Sequence, residues 1–259
     1  VRDAMLAYTG GNGPDMYVHM GDMAYGSGTD EEFTAHFYGM YAGILRNTTV
    51  WPTLGNHEGK TSDSDDQSGP YYEGYVLPTN GAAGGLASGT EAYYSYDWGN
   101  VHFVVLDSYD SDYNPDGEMA LWLLADLAAT SQDWIVAYWH HPPYSMGSHN
   151  TDKDFESIVM RRNFLPILED AGVDLVLSGH SHIYERSFLL DGGYGTPSTD
   201  EAVIDWDNGT PGEDGPYTKP AGLVGHQGAV GGGRGHEVGD PLQAGEGSGA
   251  LGVEALLEP

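Results

Sequence analysis

Short apolar runs that stop abruptly at polar turns set the rhythm of the chain. Met16-Tyr17-Val18-His19-Met20 ends in Gly21-Asp22, and Thr49–Leu54 ends in Gly55-Asn56-His57-Glu58. Trp134–Trp139 runs into His140-His141-Pro142-Pro143, and Val173–Leu177 into Gly179-His180-Ser181-His182. Runs of this length, bounded by turn residues, predict buried strands. Helical spacing fills the gaps: Asp30–Leu45, with acids at its positive end, Met119–Ala129, and Phe155–Ala171, bent or broken near Pro166. Val1–Tyr8 reads as the end of a helix closed by Gly10, Gly11 and Gly13. Ala92–Asp97 and Val101–Leu106, joined through Gly99-Asn100, predict a hairpin, and Tyr184–Leu190 a further strand. Residues 59–90, rich in Gly, Ser, Asp and Pro, read as a long surface excursion.

Strands alternating with helices predict an α/β class over residues 1–190. In layered α/β folds the ligand lies at the carboxyl ends of the strands. Four predicted strands end there in Asp, Asn or His. From about 191 the pattern fades. Gly231–Gly235 and Gly245–Gly252 are low in complexity, so 191–259 reads as a Gly-rich remainder of the domain or a tail.

Composition narrows the chemistry. Nine basic residues against 39 acidic ones give a net charge of −30. Such a chain repels phosphate backbones, which argues against nucleic-acid binding. A phosphorylated substrate would need local cations; otherwise the acidity describes a solvated, salt-adapted surface. With no cysteine, a disulfide scaffold, a Cys-ligated zinc site and a thiol nucleophile are excluded. No run of about 18 apolar residues predicts a membrane span. No signal segment opens the chain, and nothing in it sets an oligomeric state.

Six of the 11 histidines fall in the strand-end turns or just after one: His57, His140, His141, His149, His180 and His182. With Asp22, Tyr25 and Asn56 they make a ligand set without sulfur, suited to iron, zinc or manganese. A carboxylate such as Asp22 can bridge two ions. Two ions about 3.5–4 Å apart can activate water and steady both the attacking and the leaving oxygen of a phosphoester.

These turns resemble the calcineurin-like metallophosphoesterases, and among them the bacterial purple acid phosphatases. Gly21-Asp22-Met23-Ala24-Tyr25 is similar to the GDxxY motif, Gly55-Asn56-His57-Glu58 to GNH(D/E), and Gly179-His180-Ser181-His182 to GHxH. Tyr93–Asp97 through Phe103 and the stretch from His140 to Asn150 extend the likeness, which covers roughly residues 1–190. The resemblance implies a four-layer α/β/β/α sandwich with two mixed sheets. It also implies a dinuclear centre of Fe(III) with Zn, Mn or Fe(II). Asp22 would bridge the ions, Tyr25 and His182 would hold the ferric ion, and Asn56, His140 and His180 the second. His57 would contact the phosphate or protonate the leaving oxygen, and His149 would bind substrate. His141 is a further substrate-side candidate or a packing histidine. Glu58 would orient His57 or be a plain surface acid.

The implied reaction is hydrolysis of small phosphate esters, monoesters first, by a metal-bound hydroxide. A phosphodiester or nucleotide substrate is the alternative, as is an inactive metal- or phosphate-binding remnant. The family's opening DxG turn does not precede Val1, so a truncated chain is expected, with Asp22, Tyr25 and His182 left at the ferric site. The resemblance also implies a secreted or periplasmic protein.

Overall fold

The computed structural model describes residues 1–145, 147–187, 189–196 and 203–205. Helix α1 (Arg2–Tyr8) leads to strand β1 (Met16–His19). Helix α2 (Asp30–Phe33) passes through a wide π turn over Thr34–Tyr38 into α3 (Gly39–Leu45), and β2 (Thr49–Pro52) follows. After α4 (Pro70–Gly74) comes the hairpin β3 (Tyr94–Trp98) and β4 (Val101–Val105), then α5 (Glu118–Ala129) and β5 (Trp134–Trp139). Helix α6 (Phe155–Val159) passes through a second π turn, Met160–Phe164, into α7 (Leu165–Asp170). Strands β6 (Leu175–Ser178), β7 (Leu189–Asp191) and β8 (Val203–Asp205) complete the order. The break in the long helix sits at Pro166, which lacks the N–H that would continue the ladder.

Two sheets lie face to face. β1 and β2 form a parallel pair, and the larger sheet runs β3-β4-β5-β6, antiparallel at the hairpin and parallel elsewhere. The two-residue period of each strand sorts its side chains. Tyr94 and Tyr96 on β3, Phe103 on β4 and Tyr138 on β5 face the small sheet. Tyr96 stacks on Trp51 at 3.9 Å and on Phe103 at 4.9 Å. Buried phenols need partners: Tyr94 Oη donates to Pro52 O at 2.7 Å and Tyr138 Oη to Trp51 O at 3.1 Å. Thr53 Oγ1 adds a bond to Leu106 O at 2.7 Å. The seam is therefore apolar in its rings and hydrogen-bonded at their tips.

Helices cover the outer faces. Phe37 packs on Tyr17 and His19 of β1, and the Thr29–Glu32 capping box fixes where that helix starts. On the other side, Asp126 of α5 meets His102 of β4 at 2.8 Å. This is the expected layering of helix, sheet, sheet and helix.

Two expectations change. Residues 59–90 are more than a surface excursion, because Tyr71, Tyr72 and Leu77 are buried in the core. Polar anchors carry them there: Tyr71 Oη donates to Pro52 O, and Ser64 Oγ to the buried Asp107. The strand expected over Tyr184–Leu190 is confined to Leu189–Asp191. Residues 184–187 carry no ladder; Glu185 instead accepts the Ser145 hydroxyl at 2.6 Å. Most of 191–259 lies outside the described residues.

Candidate metal centre

The carboxyl ends of β1, β2, β5 and β6 meet at one rim. Parallel pairing puts the turns after β1 and β2 side by side, and likewise those after β5 and β6. A cross-link between the sheets closes the rim, His140 Nδ1 donating to Met20 O at 2.6 Å, and within the larger sheet Gly179 N–H donates to His140 O at 2.9 Å. Asp22 (φ 56°) and His180 (φ 64°) adopt left-handed backbone. Non-glycine residues rarely adopt it, and it turns both side chains into the rim.

Three ligand atoms converge there. Asn56 Oδ1, His140 Nε2 and His180 Nδ1 stand 3.1, 2.9 and 3.2 Å apart. Asp22 Oδ2 is 3.3 Å from His140 Nε2. Because a carbonyl only accepts, the bond to Met20 O puts the His140 proton on Nδ1 and leaves the Nε2 lone pair facing the cluster. Tyr25 Oη is hydrogen-bonded to His182 Nε2 at 2.8 Å, and its ring lies 4.4 Å from that of His57. His57 Nε2 is in turn 3.9 Å from Asp22 Oδ2. Carboxylate, amide, imidazole and phenol, crowded together without sulfur, fit a divalent or trivalent metal.

Electrostatics agree. Burial opposes ionisation of Asp22, but His140 and the His57 N–H outweigh it and hold its carboxyl well below the usual range. Burial also disfavours charge on His140, yet Asp22 lifts its pKa above the ordinary value. His180 is pushed down to about 3 by burial and by its neighbours His140 and His149. His141 falls well below its ordinary value for the same reasons, burial first, then His140 and His180. A neutral imidazole is the form a metal binds, so His180 is set for it, whereas His140 gives up the proton that Asp22 favours when a metal binds.

Glu58 departs from both sequence readings. It is 0 % exposed. Its Oε2 accepts the N–H groups of Asp22 at 2.8 Å and Gly55 at 3.1 Å, and Oε1 accepts that of Ala24 at 2.7 Å. Burial raises its pKa, with the Ala24 N–H acting against that. It fastens the turn that carries Asp22 to the turn that carries Asn56.

The remaining histidines surround the cluster. His57 Nδ1 donates to Gly26 O at 3.0 Å, and its N–H to Asp22 Oδ1 at 3.1 Å. His149 lies with its ring 3.6 Å from His180, and its Nδ1 is 3.6 Å from Asp154 Oδ2. His141 is 3 % exposed, hydrogen-bonded to Ser108 and 4.5 Å from the His180 ring. Among the described residues two trios offer ligand atoms within 4.8 Å of one another, His140–His141–His180 and His149–Asp154–His180. Asp154 and Glu58 had no distinguishing signal in the sequence beyond Glu58 ending its motif.

The chain is 37 % identical over 146 residues to purple acid phosphatase 23 of Arabidopsis thaliana, covering 54 % of this chain and 30 % of that protein. It is 29 % identical over 201 residues to purple acid phosphatase 15 of the same plant, covering 68 % and 36 %. The matched region thus spans about a third of these relatives. A solved structure of PhoD shares the fold, with a TM-score of 0.50 at 13 % identity over 88 % of this chain and 53 % of that one. Residues 3–184 match the calcineurin-like phosphoesterase model. That span takes in Asp22, Tyr25, Asn56, His57, His140, His180 and His182, and with them the chain belongs to the calcineurin-like phosphoesterase family.

Proposed function

We propose that the chain hydrolyses phosphate esters, with phosphomonoesters preferred over phosphodiesters or nucleotides, at a dinuclear site for Fe(III) and Zn, Mn or Fe(II). The observation that carries the reading is the convergence of Asn56 Oδ1, His140 Nε2 and His180 Nδ1 beside the Asp22 carboxylate. Asn56, His140 and His180 would hold one ion and Tyr25 and His182 the ferric ion, with the Asp22 carboxylate shared between them. When bound, the metals polarise the phosphoryl oxygens and lower the pKa of a bound water.

The chain's own groups do the rest. The ligands gather cations at one point of a molecule whose charge of −30 otherwise repels phosphate. Nδ1–H of His57 is committed to Gly26 O, so Nε2 is the nitrogen left to face the leaving oxygen; it gives a proton as the P–O bond breaks from the imidazolium form, which ends as the neutral ring protonated on Nδ1. His149 lies over His180 and takes a phosphate oxygen. His141, bonded to Ser108, backs the His180 ring from the buried side. Export from the cell belongs to the same proposal and rests on the family likeness; among the described residues no helix is long and apolar enough to cross a membrane.

Elemental analysis of protein purified without chelators, paired with phosphomonoester hydrolysis before and after chelation, tests the reading. Two metals per chain and activity lost on chelation are expected. Hydrolysis that survives chelation, or one metal or none in freshly purified protein, sinks it.

A further inference from the structure

Arg161 is a fully buried arginine, 0 % exposed, in the π turn between α6 and α7. A buried guanidinium is costly unless its donors are met. Three of its contacts here go to main-chain carbonyls. Nη1 donates to Pro143 O at 2.7 Å and to Thr151 O at 2.9 Å, and Nε donates to Gly195 O at 2.6 Å. One nitrogen carries two hydrogens, so it can grip two carbonyls at once. Pro143 and Thr151 are the two ends of the loop that carries His149. The guanidinium also lies 5.8 Å from the ring of Tyr144, in the same loop.

Within the loop, Ser145 Oγ donates to Glu185 Oε2 at 2.6 Å and meets Ser181 Oγ at 2.7 Å. Ser181 stands between His180 and His182. The loop is therefore pinned at both ends by Arg161 and joined near its start to the turn that supplies two ligands. Thr151 Oγ1 adds a closure of its own, accepting the Ser145 N–H at 3.3 Å.

We infer that Arg161 is a positioning residue: it closes the 143–151 loop and thereby holds His149 over His180, where it meets the substrate phosphate. The inference rests on the proposed function for the role of His149, while the clamp itself rests on the bonds of Arg161. Lysine keeps the charge but offers a single nitrogen, so it cannot span three carbonyls with the fork's geometry. Replacement of Arg161 by methionine takes this donor from the buried Pro143 and Thr151 carbonyls and can fail to fold.

The test uses the metal-loaded protein with Arg161→Lys, His149→Ala and the double variant. Arg161→Lys should keep its metal content and raise KM for a phosphomonoester about tenfold, equivalent to about 1.4 kcal/mol, with a smaller change in kcat. In the His149→Ala background the same substitution should add little further, because both changes act through one contact. Amide hydrogen exchange over 143–151 should quicken in Arg161→Lys while the β5 amides stay protected. Unchanged exchange in the loop, or KM effects that simply add, overturns the inference. If the wild-type chain with both metals hydrolyses no phosphoester, the functional reading falls. The clamp is then judged by loop exchange and by calorimetric binding of inorganic phosphate to the same variants.

Discussion

Glu58 accepts the backbone N–H of Asp22 at 2.8 Å across 36 residues of sequence, and so joins the two turns that face the site. Its carboxylate also meets Gly55 and Ala24, so one buried side chain satisfies three main-chain donors. Replacing Glu58 by Ala leaves those donors unmet and should cost about 3–5 kcal/mol in urea unfolding. Glu58→Gln, which sets an amide N–H against one of them, should cost less. Both should weaken metal binding about tenfold to a hundredfold by calorimetry, as the loss of a group supporting a ligand does. Native affinity in both variants would remove Glu58 from the site.

Gly55 leaves room for the same junction. A Cβ there would collide with the Asp22 amide nitrogen and lie 2.5 Å from Asp22 Oδ1. Backbone cannot give way cheaply, so Gly55→Ala should cost about 1–3 kcal/mol and displace the carboxylate. The readouts are thermal unfolding and metal content per chain, both expected to fall together.

Tyr25 and His182 touch through a 2.8 Å hydrogen bond. A phenolate bound to ferric iron should give the loaded protein a visible absorption band. In Tyr25→Phe the band should vanish, with the protein still folded by circular dichroism. A band that persists would place the chromophore elsewhere.

His102 is buried between Asp97 Oδ1 at 2.7 Å and Asp126 Oδ2 at 2.8 Å. Burial alone would lower its pKa; the bonds to Asp126 and Asp97 outweigh it and raise the value above 6.5. A raised pKa means the folded state holds the proton more tightly. The contribution is thus complete below the unfolded pKa of about 6.5 and is lost as pH rises through the higher folded value. His102→Gln should cost about 3–5 kcal/mol at pH 5 and less at pH 9, measured by urea unfolding at both. A cost that grows with pH would refute the protonated assignment.

Much of this was legible beforehand. β5 occupies the residues that its apolar run predicted, and the hairpin turns at Gly99-Asn100. The residues at the strand ends stood out because Asp, Asn and His directly after a buried run are hard to explain as packing. Other features were not legible. Tyr71 and Tyr72 sit in a Gly- and Ser-rich stretch, and their burial depends on the Pro52 carbonyl of β2 for Tyr71 and, for Tyr72, on Ser64, which itself donates to the distant Asp107. Where a strand was expected at Tyr184, Glu185 instead accepts a side-chain bond from Ser145 of the 143–151 loop. Glu58, Asp154 and Arg161 are ordinary charged residues in sequence, and charge alone points to the surface.

Local pattern was enough for most of the strands and helices of residues 1–178, because periodicity and turn chemistry act over a few residues. Which atoms meet was settled only by the fold. His140 Nε2 faces Asn56 and His180 because the Met20 carbonyl, 120 residues away, takes the Nδ1 proton. Asp22 is ionised because two sheets bring His140 and His57 against it. Burial, tautomer and charge are properties of a neighbourhood, and the neighbourhood exists only once the sheets have packed.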